Sequence, residues 1–199
     1  MNMPKITRDS LMTLEAYARA RNDMRTQLMQ HKQIRMVRLG DHVSLIFEDE
    51  TTMRYQIQEM LRAEKIFEEA GIQDELDAYN PLIPDGGNWK ATMMIQYPEE
   101  AERRVRLTEL KTIEDHVYIQ VDGHARVYAI ADEDLDRTTA EKTSAVHFLR
   151  FELTPPMITA AKSGSDILMG LDLPAYTVDA MTVNAATRTS LTDDLHYVM

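Results

Sequence analysis

The sequence predicts an α+β fold: a mostly antiparallel sheet with long N-terminal helices packed on it, in a single domain over residues 1–199. Three features predict it. Long helical patterns are grouped at the start of the chain. Strand-like runs fill the middle and the end, two of them joined through Asp122-Gly123, a strong hairpin signal. The regular strand–helix–strand alternation that builds a parallel sheet is missing.

The elements follow in order. Asp9 and Ser10 offer an N-cap for a long helix, "LMTLEAYARARNDMRTQLMQHKQIR", with no Pro or Gly before Gly40. In "MVRLGDHVSLIFED", Val43, Leu45 and Phe47 alternate, which predicts a strand or two short ones bent at Gly40. A second helix is expected from Thr51 or Thr52 to Gly71, where glycine supplies a C-terminal cap, followed by a short helix "IQDELDAY". Two prolines and two glycines in "NPLIPDGGN" enforce a loop. In the next run Trp89, Ala91, Met93, Ile95 and Tyr97 form one buried face of a strand. A charged helix, "PEEAERRVRLTEL", leads to the hairpin strands of "HVYIQVDGHARVYAIAD", and the acidic "DEDLDRTTAEKT" reads as an exposed loop or short helix. "SAVHFLRFEL" is another strand, ended by Pro155-Pro156. A short helix, one or two strands and a terminal helix or turn complete the chain.

Composition bounds the function. At 199 residues and 44% hydrophobic, the chain can bury a substantial core. A formal net charge of -11 repels phosphate backbones and anionic membranes, so neither nucleic acid nor a membrane is an expected partner. With no cysteine, disulfides, thiol nucleophiles and thiolate-held clusters are excluded. The N-terminus lacks a signal-peptide core and no apolar run approaches the roughly 20 residues of a spanning helix, so a cytoplasmic protein is expected.

The candidate site residues are charges on apolar faces. At about 100° per residue, Met53, Ile57, Met60 and Phe67 share a stripe, and Glu64 falls within it. Arg21 and Arg25 fall on the apolar stripe of the first helix in the same way. Arg19 to Arg38 carries a balance of about +5 and Glu48 to Asp77 about -7, so the two segments are expected to pack together. Glu64 then meets Arg21 or Arg25 in a buried pair; alternatively, the surplus guanidinium receives an anionic ligand. Tyr55, Gln58, Glu59 and Arg62 occupy the other side of the second helix, either as surface pairs or as a face for a partner.

Other chemistry is thinly represented. The six histidines form no H-x-H or H-E-x-x-H pattern, so no metal motif and no cofactor is expected. His147 shares strand parity with Leu149, Phe151 and Leu153 and reads as a satisfied core histidine, while His42, His116 and His124 could assemble a composite site. No G-x-S-x-G or G-x-G-x-x-G motif exists. Acidic pairs such as Glu48 with Asp49 read as solvated or capping. No motif specifies an enzyme.

"SLMTLEAYARAR", "LGDHVSLIFEDETTMRYQIQEMLRAEKI", "ELDAYNPLIPDG" and "AVHFLRFEL" resemble a bacterial family catalogued as domain of unknown function 3501. The likeness spans nearly the whole chain and is sharpest from Ser10 to Tyr97, at Phe47-Glu48, Gln56, Glu59-Met60, Arg62, Glu64 and Asn80-Pro81. Leu173 stands where many relatives have a histidine before the "PAY" motif, which weighs against a metal role there. The resemblance implies no reaction, catalytic residue or cofactor. It does imply a genomic setting beside rubrerythrin-like proteins and iron–sulfur oxidoreductases. The expectation is therefore a non-catalytic accessory protein that binds such an oxidoreductase or a second copy of itself; the alternative is an enzyme or sensor for a small anion or metal.

Overall fold

The computed structural model describes residues 6–197. Helix α1 (Leu14–Gln33) leads into strands β1 (Met36–Leu39) and β2 (Val43–Phe47), helices α2 (Glu50–Ala63) and α3 (Glu69–Tyr79), and strand β3 (Asn88–Ile95). Helix α4 (Glu100–Glu109) precedes β4 (Val117–Val121), β5 (Arg126–Tyr128), β6 (Ile130–Ala131) and β7 (Val146–Glu152). Helix α5 (Pro155–Lys162), strands β8 (Ile167–Leu173) and β9 (Tyr176–Thr182), and helix α6 (Ala185–Asp193) follow.

The fold is α+β, but the strands divide between two antiparallel sheets where one was expected. One runs β1-β2-β3-β7-β6 and the other β5-β4-β8-β9. The division is made just after the Asp122-Gly123 hairpin. β5 pairs with β4, the chain bends through Ala129, and β6 joins β7 instead. Register explains why the sheets face each other. Leu45 pairs with Met93 and Met93 with His147, while Trp89 pairs with Phe151, so one parity of each strand forms a continuous inner face. That face packs with Val117, Ile119, Ile167, Met169 and Leu171 of the other sheet in the main core.

β2 is buried on both faces, because the N-terminal helices cover the outer side of the first sheet. They bring their own core: Met53, Ile57 and Leu61 of α2 meet Ile72 and Leu76 of α3, closed by Ile6, Leu11 and Ile83. Two amide side chains pin the N-terminal segment to this layer. Asn80 exchanges two hydrogen bonds with the backbone of Ile6, and Gln58 accepts from the Met12 amide at 2.6 Å.

Two helix boundaries differ from expectation. Thr13 caps α1, accepting from the Ala16 amide, and Asp9 and Ser10 belong to a preceding 3-10 turn. The expected helix to Gly71 stops at Ala63. Lys65 takes a left-handed conformation (φ 55), and the Ile66 amide reaches back to the Leu61 carbonyl at 2.8 Å. This is the hydrogen-bond pattern of a Schellman cap, with lysine in the place usually held by glycine, and Ile66 packs on the helical core. Gly71 sits inside α3. Pro155 and Pro156 end the preceding strand and also open α5, where a missing amide is tolerated.

Candidate functional site

The oppositely charged N-terminal segments do pack together, through a carboxylate other than the expected one. Glu59 accepts from Arg21 Nε and Nη2 at 2.7 Å each, and from the Tyr17 hydroxyl at 2.7 Å. Glu64 is exposed, because the helix has ended before its side chain can complete the apolar stripe, and Arg25 is exposed on α1. Arg21, Arg25 and Glu64 are therefore not brought together. The side of α2 expected to form surface pairs or to face a partner is partly covered by α1. Gln58 is buried against Met12, Glu59 is engaged with α1, and Tyr55 meets the Tyr17 ring edge-on. Arg62 alone of the four is exposed, 3.6 Å from Glu59.

The histidines are likewise dispersed. His42 stacks on Tyr97 with ring centroids 4.0 Å apart, and His116 lies 3.1 Å from Asp172. His147 is fully buried, as its strand parity predicts, with a partner at each ring nitrogen.

A ligand-sized space lies elsewhere, between the helical layer and the outer face of the first sheet. Two adjoining cavities of about 290 and 240 Å³ share Glu48, Leu82 and Phe148 as a common wall. The larger is mostly apolar, lined by Pro81, Leu82 and Phe148 with Lys90 and Arg150 at its polar side. The smaller reaches under α2 to Gln56 and Thr52.

Glu48 stands out in this wall. It is 5% exposed, and its Oε1 accepts from the Thr92 hydroxyl at 2.6 Å. Among the described residues nothing donates to its Oε2. A buried carboxylate oxygen without a donor costs free energy that a satisfied one does not, so it is found where something else supplies the donor.

The sequence around Glu48 holds it there. Asp49 and Thr52 form a reciprocal capping box at the start of α2, with bonds of 2.9 Å in both directions, which fixes the chain immediately after Glu48. From below, the buried Arg35 donates to the carbonyls of Phe47 (2.8 Å) and Glu48 (3.1 Å), to the Ser190 hydroxyl, and to Asp194 at 2.6 Å. One guanidinium thus ties the β2–α2 corner to α6. It serves Asp49 as well, at 3.4 Å, so its charge is divided, and burial lifts the Asp194 carboxyl to about 6 despite the pairing.

The remaining charges of the cleft are largely engaged. Arg150 grips Glu133 through two bonds of 2.8 Å. Lys90 donates to the carbonyls of Pro81 and Ile83, and burial lowers its pKa. Sequence reasoning passed over Glu48 because, beside Asp49, it had the look of a solvated acidic pair.

The comparisons with known proteins agree on the fold. A family model described as a protein of unknown function (DUF3501) matches residues 5–195. The chain is similar to a crystal structure of a protein of unknown function from Burkholderia pseudomallei K96243. The two are 54% identical, with a TM-score of 0.93 over 97% of this chain and 100% of that one. No curated protein matches the sequence. Among the described residues, no helix is long and apolar enough to cross a membrane.

Proposed function

This chain belongs to the DUF3501 family, and on that premise we propose that it binds a small organic molecule in the cleft between α2 and the sheet. The ligand carries a hydrogen-bond-donating, cationic head, such as an amine, on Glu48, and an apolar body against Phe148, Leu82 and Pro81. The observation that carries this reading is the donor-free Oε2 of a nine-tenths-buried carboxylate in a cavity wall. The charge of Glu48 selects against anions. This differs from an anion site on the arginines of α1, because Arg21 is already neutralised by Glu59. A thermal-shift comparison of 2-phenylethylamine, phenylethanol and phenylpropionate tests the head-group chemistry. The amine raises the melting temperature of the wild type and not of Glu48→Gln; equal shifts from all three compounds would reject the assignment.

An accessory role beside a rubrerythrin-like or iron–sulfur oxidoreductase is the second reading, resting on the family resemblance and the charge of -11. The surface feature that supports it is an apolar patch at the end of the helical layer. There Phe67 is 70% and Met12 42% exposed, on either side of a shared cavity. Crosslinking in the native host that is lost on Phe67→Asp supports this reading; a crosslinking pattern unchanged by that substitution counts against it.

A further inference from the structure

A second polar centre lies around the buried histidine of β7. His147 Nδ1 is 2.5 Å from Asp132 Oδ2. On the other side of the ring, Nε2 is 2.9 Å from Thr143 Oγ1, 3.1 Å from the Ser144 carbonyl oxygen and 3.8 Å from Glu114 Oε2. Thr143 Oγ1 is in turn 3.2 Å from Glu114 Oε2. Thr138 holds the other oxygen of Glu114. His147 and Thr143 have no exposed surface, and Glu114 has 6%.

The arrangement is short of positive charge. An imidazole that donates Nδ1–H to Asp132 presents a lone pair at Nε2. With the Thr143 hydroxyl donating to Glu114 Oε2, that lone pair faces the Ser144 carbonyl oxygen without a donor, and two acceptors so close repel unless a cation lies between them. Two carboxylates, Glu114 and Asp132, adjoin the ring, against a single guanidinium, Arg137, which Asp132 shares with Asp134.

We propose that His147 Nε2, Glu114, the Thr143 hydroxyl and the Ser144 carbonyl hold a divalent first-row transition-metal ion. Asp132 is a positioning residue, fixing the ring through Nδ1 as carboxylates commonly do behind metal-bound histidines. The donor spacing fits. Donors about 2.1 Å from an ion lie about 3.0 Å apart at right angles and about 3.4 Å apart at tetrahedral angles; Nε2 to Thr143 Oγ1 (2.9 Å), Nε2 to the Ser144 oxygen (3.1 Å) and Thr143 Oγ1 to Glu114 Oε2 (3.2 Å) lie near these values, and Nε2 to Glu114 Oε2 is wider at 3.8 Å. The mixed nitrogen and oxygen set suits manganese or zinc better than calcium, which takes oxygen alone. The spacing of 114, 132, 143 and 147 in the chain matches no local motif, because the donors come from a 3-10 turn, a long loop and a strand.

The test is metal-stripped full-length protein dialysed separately against Zn(II) and Mn(II), with bound metal measured by elemental analysis. The wild type takes up about one ion per chain of at least one metal. Glu114→Gln, which keeps the shape of the side chain, abolishes that uptake with the circular dichroism spectrum unchanged. Asp132→Asn weakens the affinity about 10–100-fold. Failure of the wild type to bind either ion stoichiometrically, or undiminished binding by Glu114→Gln, overturns the proposal.

Discussion

Arg21 and Glu59 form a two-pronged pair between α1 and α2, with both prongs at 2.7 Å and the Tyr17 hydroxyl on the same carboxylate. Glu59 sits five residues before Glu64, the carboxylate that the apolar stripe singles out. Glu59→Ala takes the acceptor away from the phenol of a residue with no exposed surface, at a cost of about 1–3 kcal/mol. Its melting temperature therefore falls by several degrees. Glu64→Ala, at an exposed position, melts within about one degree of the wild type. Parallel thermal melts of the two variants decide the point.

The same pair sets an acid limit. The Arg21 hydrogen bonds hold the Glu59 carboxyl down at about 2, below its ordinary 4.5. A depressed folded-state value means that the stabilisation is present above about pH 4.5 and is lost as pH falls towards 2. Denaturant midpoints measured across that window drop for the wild type, and the drop is shallower for Glu59→Gln.

Asp194 has the opposite sign. Burial raises its carboxyl to about 6, above the ordinary 3.8. Between those values the unfolded chain has lost the proton and the folded chain keeps it, so this group's contribution weakens the fold as pH rises from 4 to 6 and is level above that. Comparing wild type with Asp194→Asn isolates this term: over pH 4–6 the stability advantage of the wild type over the variant shrinks as pH rises.

Lys65 occupies a left-handed position that favours glycine. Lys65→Gly relieves the conformational cost of a side chain there, about 1 kcal/mol, and raises the melting temperature by roughly 2–4 °C. A lower melting temperature would mean that the lysine side chain contributes more than its backbone costs.

Much of the fold could be read from the chain, for identifiable reasons. The alternation from Trp89 to Tyr97 gives the central strand its buried face, and Asp122-Gly123 gives the hairpin, because both signals are local. The break at Lys65 was hidden, since its residue type does not announce a left-handed turn and only the packing of Ile66 fixes it. Glu48 was misread for a related reason. Its partner Thr92 is 44 residues away and Arg35 beneath it lies 13 away, so its burial is a tertiary fact. The division into two sheets turns on a bend at Ala129, in a run whose alternation looks continuous.

The Glu48 carboxylate, with one buried oxygen lacking a donor, is held in place at a stability cost that the proposed ligand would offset. Glu48→Gln removes a buried charge with one oxygen unpartnered and raises the melting temperature of the ligand-free protein. Thr92→Val takes away the one side-chain donor the carboxylate has among the described residues and destabilises the fold by about 1–3 kcal/mol, which lowers the melting temperature. Thermal melts of both, on protein stripped of small molecules, check the pair of signs.

Native mass spectrometry on wild type and Glu48→Gln, each purified gently from the native host, reads the occupancy of the Glu48 cavity itself. A reproducible small-molecule mass that carries a basic nitrogen is expected on the wild-type chain and absent from Glu48→Gln. A bare wild-type chain, or the same adduct on both proteins, would contradict the proposed site.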